Sequence, residues 1–384
     1  MNLFSLPKLS PRAELLAKTL HHLTPLVDQS NIFSRQIFQL ETIIQPYFEH
    51  HFYSCSRYAF NFTELITPFH YLNISAVLGT TGLLCFDQDE LQRGPARNNA
   101  TVFMSTALEN TGFLKGYTLD SEEVIHIKDK ILFGRELLIE GVYPEFRLKG
   151  DYSGIQFNVL INLSRQASWM IKTPLCDHFS LMMHYEGIFE FEGEHYPVSG
   201  IGSFEFSRSA TPHSLIPQAL AITEKIPVNF VTYQVLNLDA QRQVIFHKVD
   251  IAGKPMSYRA YIRHKGGFSE VYNNVQFNIL DYQDTPILSP FGQYTLLPKS
   301  FEWQILNNEG EQYLHVQAEV DTEFKYGLGL GYSAAFQFEA YSVEGRQSGR
   351  GYIEYIDVVE QTEICPYPED VTASRQYQQS ITMI

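Results

Sequence analysis

One short strand occurs twice in the chain. Residues 199–206 read SGIGSFEF and residues 348–355 read SGRGYIEY, with a glycine and a glutamate at matching places. Each copy follows a strand-like run, FEFEGEHYPV from Phe189 and FQFEAYSVEGRQ from Phe336. Counted from those phenylalanines, the second copy reaches its Ser-Gly two residues later. An even insertion keeps every following side chain on its own face. A hairpin repeated in this way predicts two similar β units in tandem.

The residues around the repeats support that reading. Ile155, Phe157, Val159 and Ile161 alternate with Gln156, Asn158, Leu160 and Asn162, and YLHVQAEV at 313–320 alternates in the same way. Period two with one apolar face predicts antiparallel strands with a buried side. Turn signals recur at Gly150-Asp151, Gly193, Asp239-Ala240 and Asn307-Asn308-Glu309-Gly310. Strands do not alternate regularly with long helices, so the fold class is all-β. Before residue 56 the pattern is helical. Ser10 and Pro11 supply a cap and a first-turn proline, and Leu16, Leu20, Leu23 and Val27 follow at helical spacing. Ile37, Leu40, Ile44 and Phe48 predict a second helix. The expected organisation is a helical extension over 1–55, β units over 56–215 and 228–363, and a polar tail over 364–384. The proline-bearing stretch 208–227 joins the two units.

At 384 residues the chain exceeds one ordinary core, and its 44% hydrophobic content rules out general disorder. The 28 Phe and 23 Tyr suit pleated surfaces and apolar cavities. A formal net charge of −15 argues against nucleic acid as a partner and against an anionic membrane face. No stretch reaches the roughly 18 apolar residues of a membrane-spanning helix. The start lacks the apolar run of a secretory leader, so a cytoplasmic protein is expected. Cys55, Cys85, Cys176 and Cys365 form no Cys-x-x-Cys pair and read as buried small hydrophobes. His178 and His184 stand about 20 Å apart along one strand, and no His-x-His pattern occurs, so neither a metal nor another cofactor is expected. GLGLGY at 327–332 is followed by a strand rather than a helix, which removes a phosphate-binding reading. Its alternate glycines instead clear one face, as tight packing or a ligand lying on the sheet would require.

At the repeated hairpins the sequence resembles a family. GRGYIEY at 349–355 and HFSLMMHYEGIFEFEGEHYPVSGIGSFEF at 178–206 are similar to the closing hairpins of the double-lipocalin proteins. These include carotenoid 1,2-hydratases, AttH-type proteins, fungal decalin-forming cyclases and fungal lipid-handling survival factors. The resemblance implies two lipocalin-like barrels side by side and a hydrophobic ligand, terpenoid or polyketide-like. The family's first hairpin commonly ends in Gly-x-Ala-Trp-x-Asp, where this chain has Ser203 and Glu205. That departure points to a bacterial branch without an assigned reaction.

The candidate site residues follow from strand parity. Ser203, Glu205 and Ser207 share a face, which reads most simply as solvent-facing. Glu354 shares its face with Tyr352 and Ile356, so it belongs in a cavity or between units, either as a hydrogen-bonded structural carboxylate paired with an arginine or as a catalytic acid. In an apolar setting its carboxyl would stay protonated and could serve as a general acid. Glu354 and Glu205 are therefore the candidate catalytic groups, and Tyr352, His184, Tyr185 and Trp169 the candidate ligand contacts. Three functions stay open: carriage of a lipophilic molecule in a barrel cavity, an isomerase, cyclase or hydratase using carboxylic-acid catalysis, and a partner-binding scaffold. Oligomeric state is not encoded in these patterns. A cavity beneath Glu354 favours a ligand, and solid packing there favours the scaffold.

Overall fold

A computed structural model describes residues 9–39, 44–307, 309–358 and 361–362. Helix α1 (Pro11–Val27) begins as expected, with Ser10 Oγ accepting from the Ala13 amide at 3.1 Å. A single turn, α2 (Ser30–Phe33), follows. The expected second helix is not found among the described residues. Ile37 forms an antiparallel bridge with Gln166, and the Phe38 amide donates to the Arg165 carbonyl at 2.8 Å. Phe38 gains more by inserting its ring against Phe179 (4.8 Å) and Tyr143 (5.1 Å) than a surface helix would give it. Leu40, Cys365 and the expected tail lie outside the described residues.

The first sheet has eleven antiparallel strands. They are β1 (Cys55–Phe62), β2 (Leu72–Leu78), β3 (Asn99–Thr106), β4 (Phe113–Thr118), β5 (Val124–Ile127), β6 (Lys130–Phe133), β7 (Leu137–Val142), β8 (Glu145–Tyr152), β9 (Ile155–Lys172), β10 (Cys176–Phe191) and β11 (Glu194–Ser209). Their order is 4-3-2-1-11-10-9-8-7-6-5, so the first strand pairs with the last. The sheet curls into a near-barrel whose edges meet through side chains. Tyr117 donates to Glu136 at 3.0 Å, and Lys115 reaches Glu136 at 3.3 Å and Glu123 at 3.4 Å. Gly150 and Asp151 prove to lie within β8, and the turn that follows falls at Ser153–Gly154.

The second sheet repeats the plan. It contains β12 (Val228–Asn237), β13 (Arg242–Ile251), β14 (Lys254–His264), β15 (Glu270–Tyr272), β16 (Val275–Tyr282), β19 (Pro298–Leu306), β20 (Gln312–Val320), β21 (Lys325–Leu328), β22 (Gly331–Ser342) and β23 (Gly345–Asp357). The order 15-14-13-12-23-22-20-19-16 makes a half-barrel, with β21 hung on β22. Between β16 and β19, β17 (Ile287–Leu288) pairs with β18 (Tyr294–Thr295), which pairs in turn with β24 (Gln361–Thr362) in a small separate sheet. The fold is thus all-β, of the double-lipocalin type, with an N-terminal helix.

The duplication is exact in parity but not in the way the phenylalanines imply. Phe189 stands opposite Tyr196, whereas Phe336 stands opposite Gly351. Register makes Met183 the counterpart of Phe336, since Met183 faces Gly202. Glu186 faces Ser199 while Glu339 faces Ser348, so the first ribbon is the longer one around its turn. The difference is still even, and both glutamates keep their face. Glu205 lies between Ala59 and Ser180, as Glu354 lies between Tyr233 and Ser333.

Both barrel interiors are occupied by side chains. In the first, Phe60, Phe146 and Phe204 pack together with Phe60–Phe204 at 4.9 Å and Phe146–Phe204 at 5.7 Å. In the second, Phe246 stacks on Trp303 at 4.6 Å, and the Trp303 indole donates to Gln234 at 2.9 Å. The mid-strand glycine of the repeat makes room for this packing. A Cβ on Gly351 would stand 2.3 Å from the Phe336 ring, and one on Gly202 would stand 2.5 Å from the Met183 methyl. Among the described residues no helix is long and apolar enough to cross a membrane.

Gly351→Ala should therefore destabilise the fold by about 1–3 kcal/mol through overpacking of Phe336. Urea unfolding of the variant measures it, and an unchanged midpoint would contradict this account of the glycine.

Candidate functional site: a buried polar seam between the barrels

Strand alternation leaves each barrel with an outer wall, and the two walls face each other. On the first, β1 and β2 present Arg57, Asn61, Asn73 and Ser75, while β10 and β11 present His178, Ser180, Ser203 and Glu205. On the second, β12 to β14 present Tyr233, His247 and Arg263, and β22 and β23 present Ser333, Tyr352 and Glu354. All of these except Arg57 and His178 are buried. The Ser203–Glu205–Ser207 face is thus not the solvent-facing surface its composition suggests: Glu205 is 1% exposed. Its polar side chains are what a second barrel can cover, because Ser203 bonds Tyr233 across the seam while Glu205 is held by Arg57, Asn61 and His178 of its own half.

Arg57 stands at the centre. Its Nη2 lies 3.1 Å and 3.3 Å from the two Glu354 carboxylate oxygens, its Nη1 lies 3.5 Å from Glu205, and its Nε donates to Ser75 at 3.1 Å. Glu205 also accepts from Asn61 Nδ2 at 3.0 Å and lies 3.0 Å from His178 Nε2. Glu354 accepts from the Tyr352 hydroxyl at 3.1 Å. A second run of bonds joins Ser180, Ser203, the Tyr233 hydroxyl and Arg263 across the same seam.

The two duplicated carboxyls are driven apart in acidity. Burial raises Glu354, Arg57 opposes that, and the nearby Glu205 charge raises it further, to about 7. Burial also penalises a charge on Glu205, but Arg57 and the His178 hydrogen bond hold it below the ordinary carboxylate value. His247, whose ring centroid is 6.0 Å from that of His178, is pushed down to about 3, chiefly by burial. At neutral pH the seam therefore contains one anionic carboxylate, one carboxyl near its midpoint, a neutral imidazole and fixed guanidinium charge. Such a pair can give a proton from one side and accept one on the other.

The structure brings together three of the sequence-derived candidates, Glu354, Glu205 and Tyr352, and sets the others apart. Tyr185 points into the first barrel against Phe62, at 4.7 Å. Trp169 is buried at the same barrel's end, with Phe179 at 4.8 Å and Phe33 at 5.5 Å. His184 shares the outer face with Ser180 but lies farther along β10, half-buried, with its acidity shifted by burial and Lys265. Arg57, His178 and His247 complete the seam. Arg57 could have been suspected from CSRYAFNF, where a lone cation shares a face with Ala59 and Asn61 rather than with other charges. Among the described residues no three His, Cys, Asp or Glu side chains converge as metal ligands.

Helix α1 and the segment after it lie along one edge of the seam. Ala17 joins a buried apolar cluster that includes Phe103 and Leu84 of the first half and Val231 and Ile356 of the second. The Ser10 amide donates to the Thr223 carbonyl at 2.9 Å, and Asp28 pairs with Arg259 at 3.0 Å. From the second half, the Lys325–Gly331 turn presses back onto the first. A Cβ on Gly329 (φ +56°) would meet the Cys85 carbonyl at 2.3 Å.

Comparison with known proteins agrees with this architecture. A family model described as "Family of unknown function (DUF6670)" matches residues 75–365, more than half of the chain. The chain belongs to that family. No curated protein matches it in sequence. An AttH-like protein of Nitrosomonas europaea is similar in structure, with a TM-score of 0.55 at 14% identity over 79% of this chain and 92% of that one. Kievitone hydratase of Nectria haematococca gives a TM-score of 0.54 at 10% identity, over 84% of this chain and 94% of that one. At such identities the likeness is one of fold, two lipocalin-like sheets in tandem.

Two outcomes test the seam's electrostatics. Arg57→Leu leaves two buried carboxyls without their cation and should cost about 3–5 kcal/mol, whereas adding Glu205→Gln and Glu354→Gln should recover much of that loss. Equal stability of the single and triple variants in denaturant titration would contradict the arrangement. The second outcome is a pH dependence. The folded chain keeps the Glu354 proton up to about 7, while the unfolded chain releases it near 4.5. Folded protein thus binds more protons in this window, and stability falls as pH rises through it. His247 acts in the opposite sense, removing stability as pH falls below 6.5 toward about 3. Subtracting the Glu354→Gln profile from the wild-type profile cancels His247. The difference should decline by on the order of 3 kcal/mol between the unfolded and folded values. A flat difference would show that Glu354 titrates normally.

Proposed function

We propose that the protein is a proton-transfer enzyme acting on a lipophilic small molecule, of the hydratase or isomerase type, with the seam between the barrels as its working site. The observation that carries this reading is the split pair of duplicated glutamates. Glu354, with its carboxyl raised to about 7 beside the Tyr352 hydroxyl, serves as general acid toward an alkene or a leaving hydroxyl. Glu205, held anionic beside His178, accepts the proton from a water or a carbon acid. Arg57 couples the two, so protonation of one carboxyl favours ionisation of the other.

The carrier reading loses support because both interiors are filled by aromatic side chains. The scaffold reading gains from the tight seam, but a purely structural interface needs no carboxyl poised near neutrality. Replacing buried ionic groups by apolar ones is often neutral or stabilising, so this polar cluster calls for a reason. A hydratase of the same fold, kievitone hydratase, is consistent with proton chemistry on an apolar substrate. Entry would run along the edge where Arg57 and His178 keep 13% and 19% of their side chains exposed.

The test uses small molecules extracted from protein purified from its native host, incubated in D2O with fresh protein. Wild-type protein should catalyse exchange or hydration, and Glu354→Gln should slow it by about 10²–10⁴-fold while binding changes little. Loss of binding and turnover together, or no loss of turnover, would speak against Glu354 as the acid.

A further inference from the structure

A second constellation lies on the opposite face of the same strands, at the end of the half-barrel where β12 begins and β23 ends. Pairing across β23, β12 and β13 sets Asp357, Phe230 and Asp250 on neighbouring rungs, with a bulge in β12 beside Phe230 and one in β13 before Asp250. Lys248 projects among them. Its Nζ stands 4.4 Å from the centroid of Phe230, 4.7 Å from Tyr258 and 5.7 Å from Phe277. The Asp250 Oδ2 carboxylate oxygen is 3.8 Å away, too far for a hydrogen bond, and Asp250 Oδ1 is buried with no partner.

This is an unusual setting for a structural lysine. The Lys248 side chain is 16% exposed, so the site opens to solvent. Its surroundings are three aromatic faces, which disfavour water and accept a flat, apolar body. Burial lowers the amine's basicity, and burial likewise raises Asp250. An amine that spends more time neutral is a better nucleophile, and a neighbouring carboxylic acid can protonate a departing hydroxyl. The resulting iminium cation would sit over the same rings that now face the ammonium, with Asp250 and Asp357 at hand as counter-charge.

We infer that Lys248 is a covalent capture site for lipophilic aldehydes or ketones, forming a reversible imine in the aromatic mouth of the half-barrel. The neutral amine adds to the carbonyl carbon, and the carbonyl oxygen becomes a hydroxyl. Asp250 supplies the proton with which that hydroxyl leaves as water and recovers one from nitrogen. The balance is amine plus carbonyl giving imine plus water, with no change of oxidation state. This site is independent of the seam, because Lys248 faces the barrel interior while Glu354 faces outward.

The full-length protein is incubated with limiting trans-cinnamaldehyde and sodium cyanoborohydride, and reductive adducts are located by peptide mass spectrometry. Lys248 should be labelled about tenfold or more faster than Lys130 and Lys299, which are 44% and 45% exposed. Asp250→Asn should slow labelling at Lys248 alone, and Glu354→Gln should leave it unchanged even if it abolishes turnover. Lys248→Met should remove the fast adduct. If that variant does not fold, the wild-type ratio between sites decides. Labelling of Lys248 at or below the rate of the two surface lysines overturns the inference.

Discussion

The seam depends on one guanidinium shared by two carboxyls. Duplication placed a glutamate on the last strand of each half, and pairing of the two outer walls brought both into a region closed to water. Only one half contributes the matching cation. Arg57 stands opposite Ser207 in the first half, and the equivalent place opposite Ile356 in the second is taken by Val231. The two buried acids share the one arginine that bonds them both, and the seam's other guanidinium, Arg263, is bonded to Ser180 and Gln243 instead, so one carboxylate is poorly compensated. The cheapest remedy in a dry environment is a proton. Glu205, with Asn61 and His178 as additional partners, keeps its charge, and Glu354 takes the proton. The asymmetry that prepares the site for acid–base chemistry is thus a consequence of imperfect duplication.

The rest of the architecture protects this arrangement. Filled interiors make each barrel a rigid body, so the walls hold their side chains in fixed register. The glycines of the repeated ribbon let Met183 and Phe336 cross beneath them without bending the strand away from its partner. Helix α1 buries Ala17 in an apolar cluster shared by both halves and tethers itself at Thr223 and at Arg259.

Much of this was legible in the sequence. The alternation over 155–163 reappears as strict burial and exposure along β9. Glu354 was assigned to an interface or cavity from Tyr352 and Ile356 alone, and an arginine partner was anticipated. Other features required the third dimension. Parity says which residues share a face but not which face is covered, so Ser203, Glu205 and Ser207 read as wet although Glu205 is buried. The distinction lay in residue type: the uncovered outer face of β8 carries Arg147 and Lys149 in alternation, whereas β1 and β11 present Ser, Ala and Asn around Arg57 and Glu205. The Phe-x-Phe runs suggested an alignment that register corrects, because aromatic identity is weaker evidence than pairing. Ile37 to Phe48 had helical spacing, yet Phe38 found a better apolar partner inside the first barrel than any helix surface offers.

The account stands on Glu354 retaining its proton in the folded protein near neutrality. Difference infrared spectroscopy between wild type and Glu354→Gln at mildly acidic pH observes this directly. The account predicts the carbonyl stretch of a protonated carboxylic acid in the wild type, absent from the variant and lost as the pH is raised through about 7. A wild-type spectrum showing only ionised carboxylates at that position would contradict it.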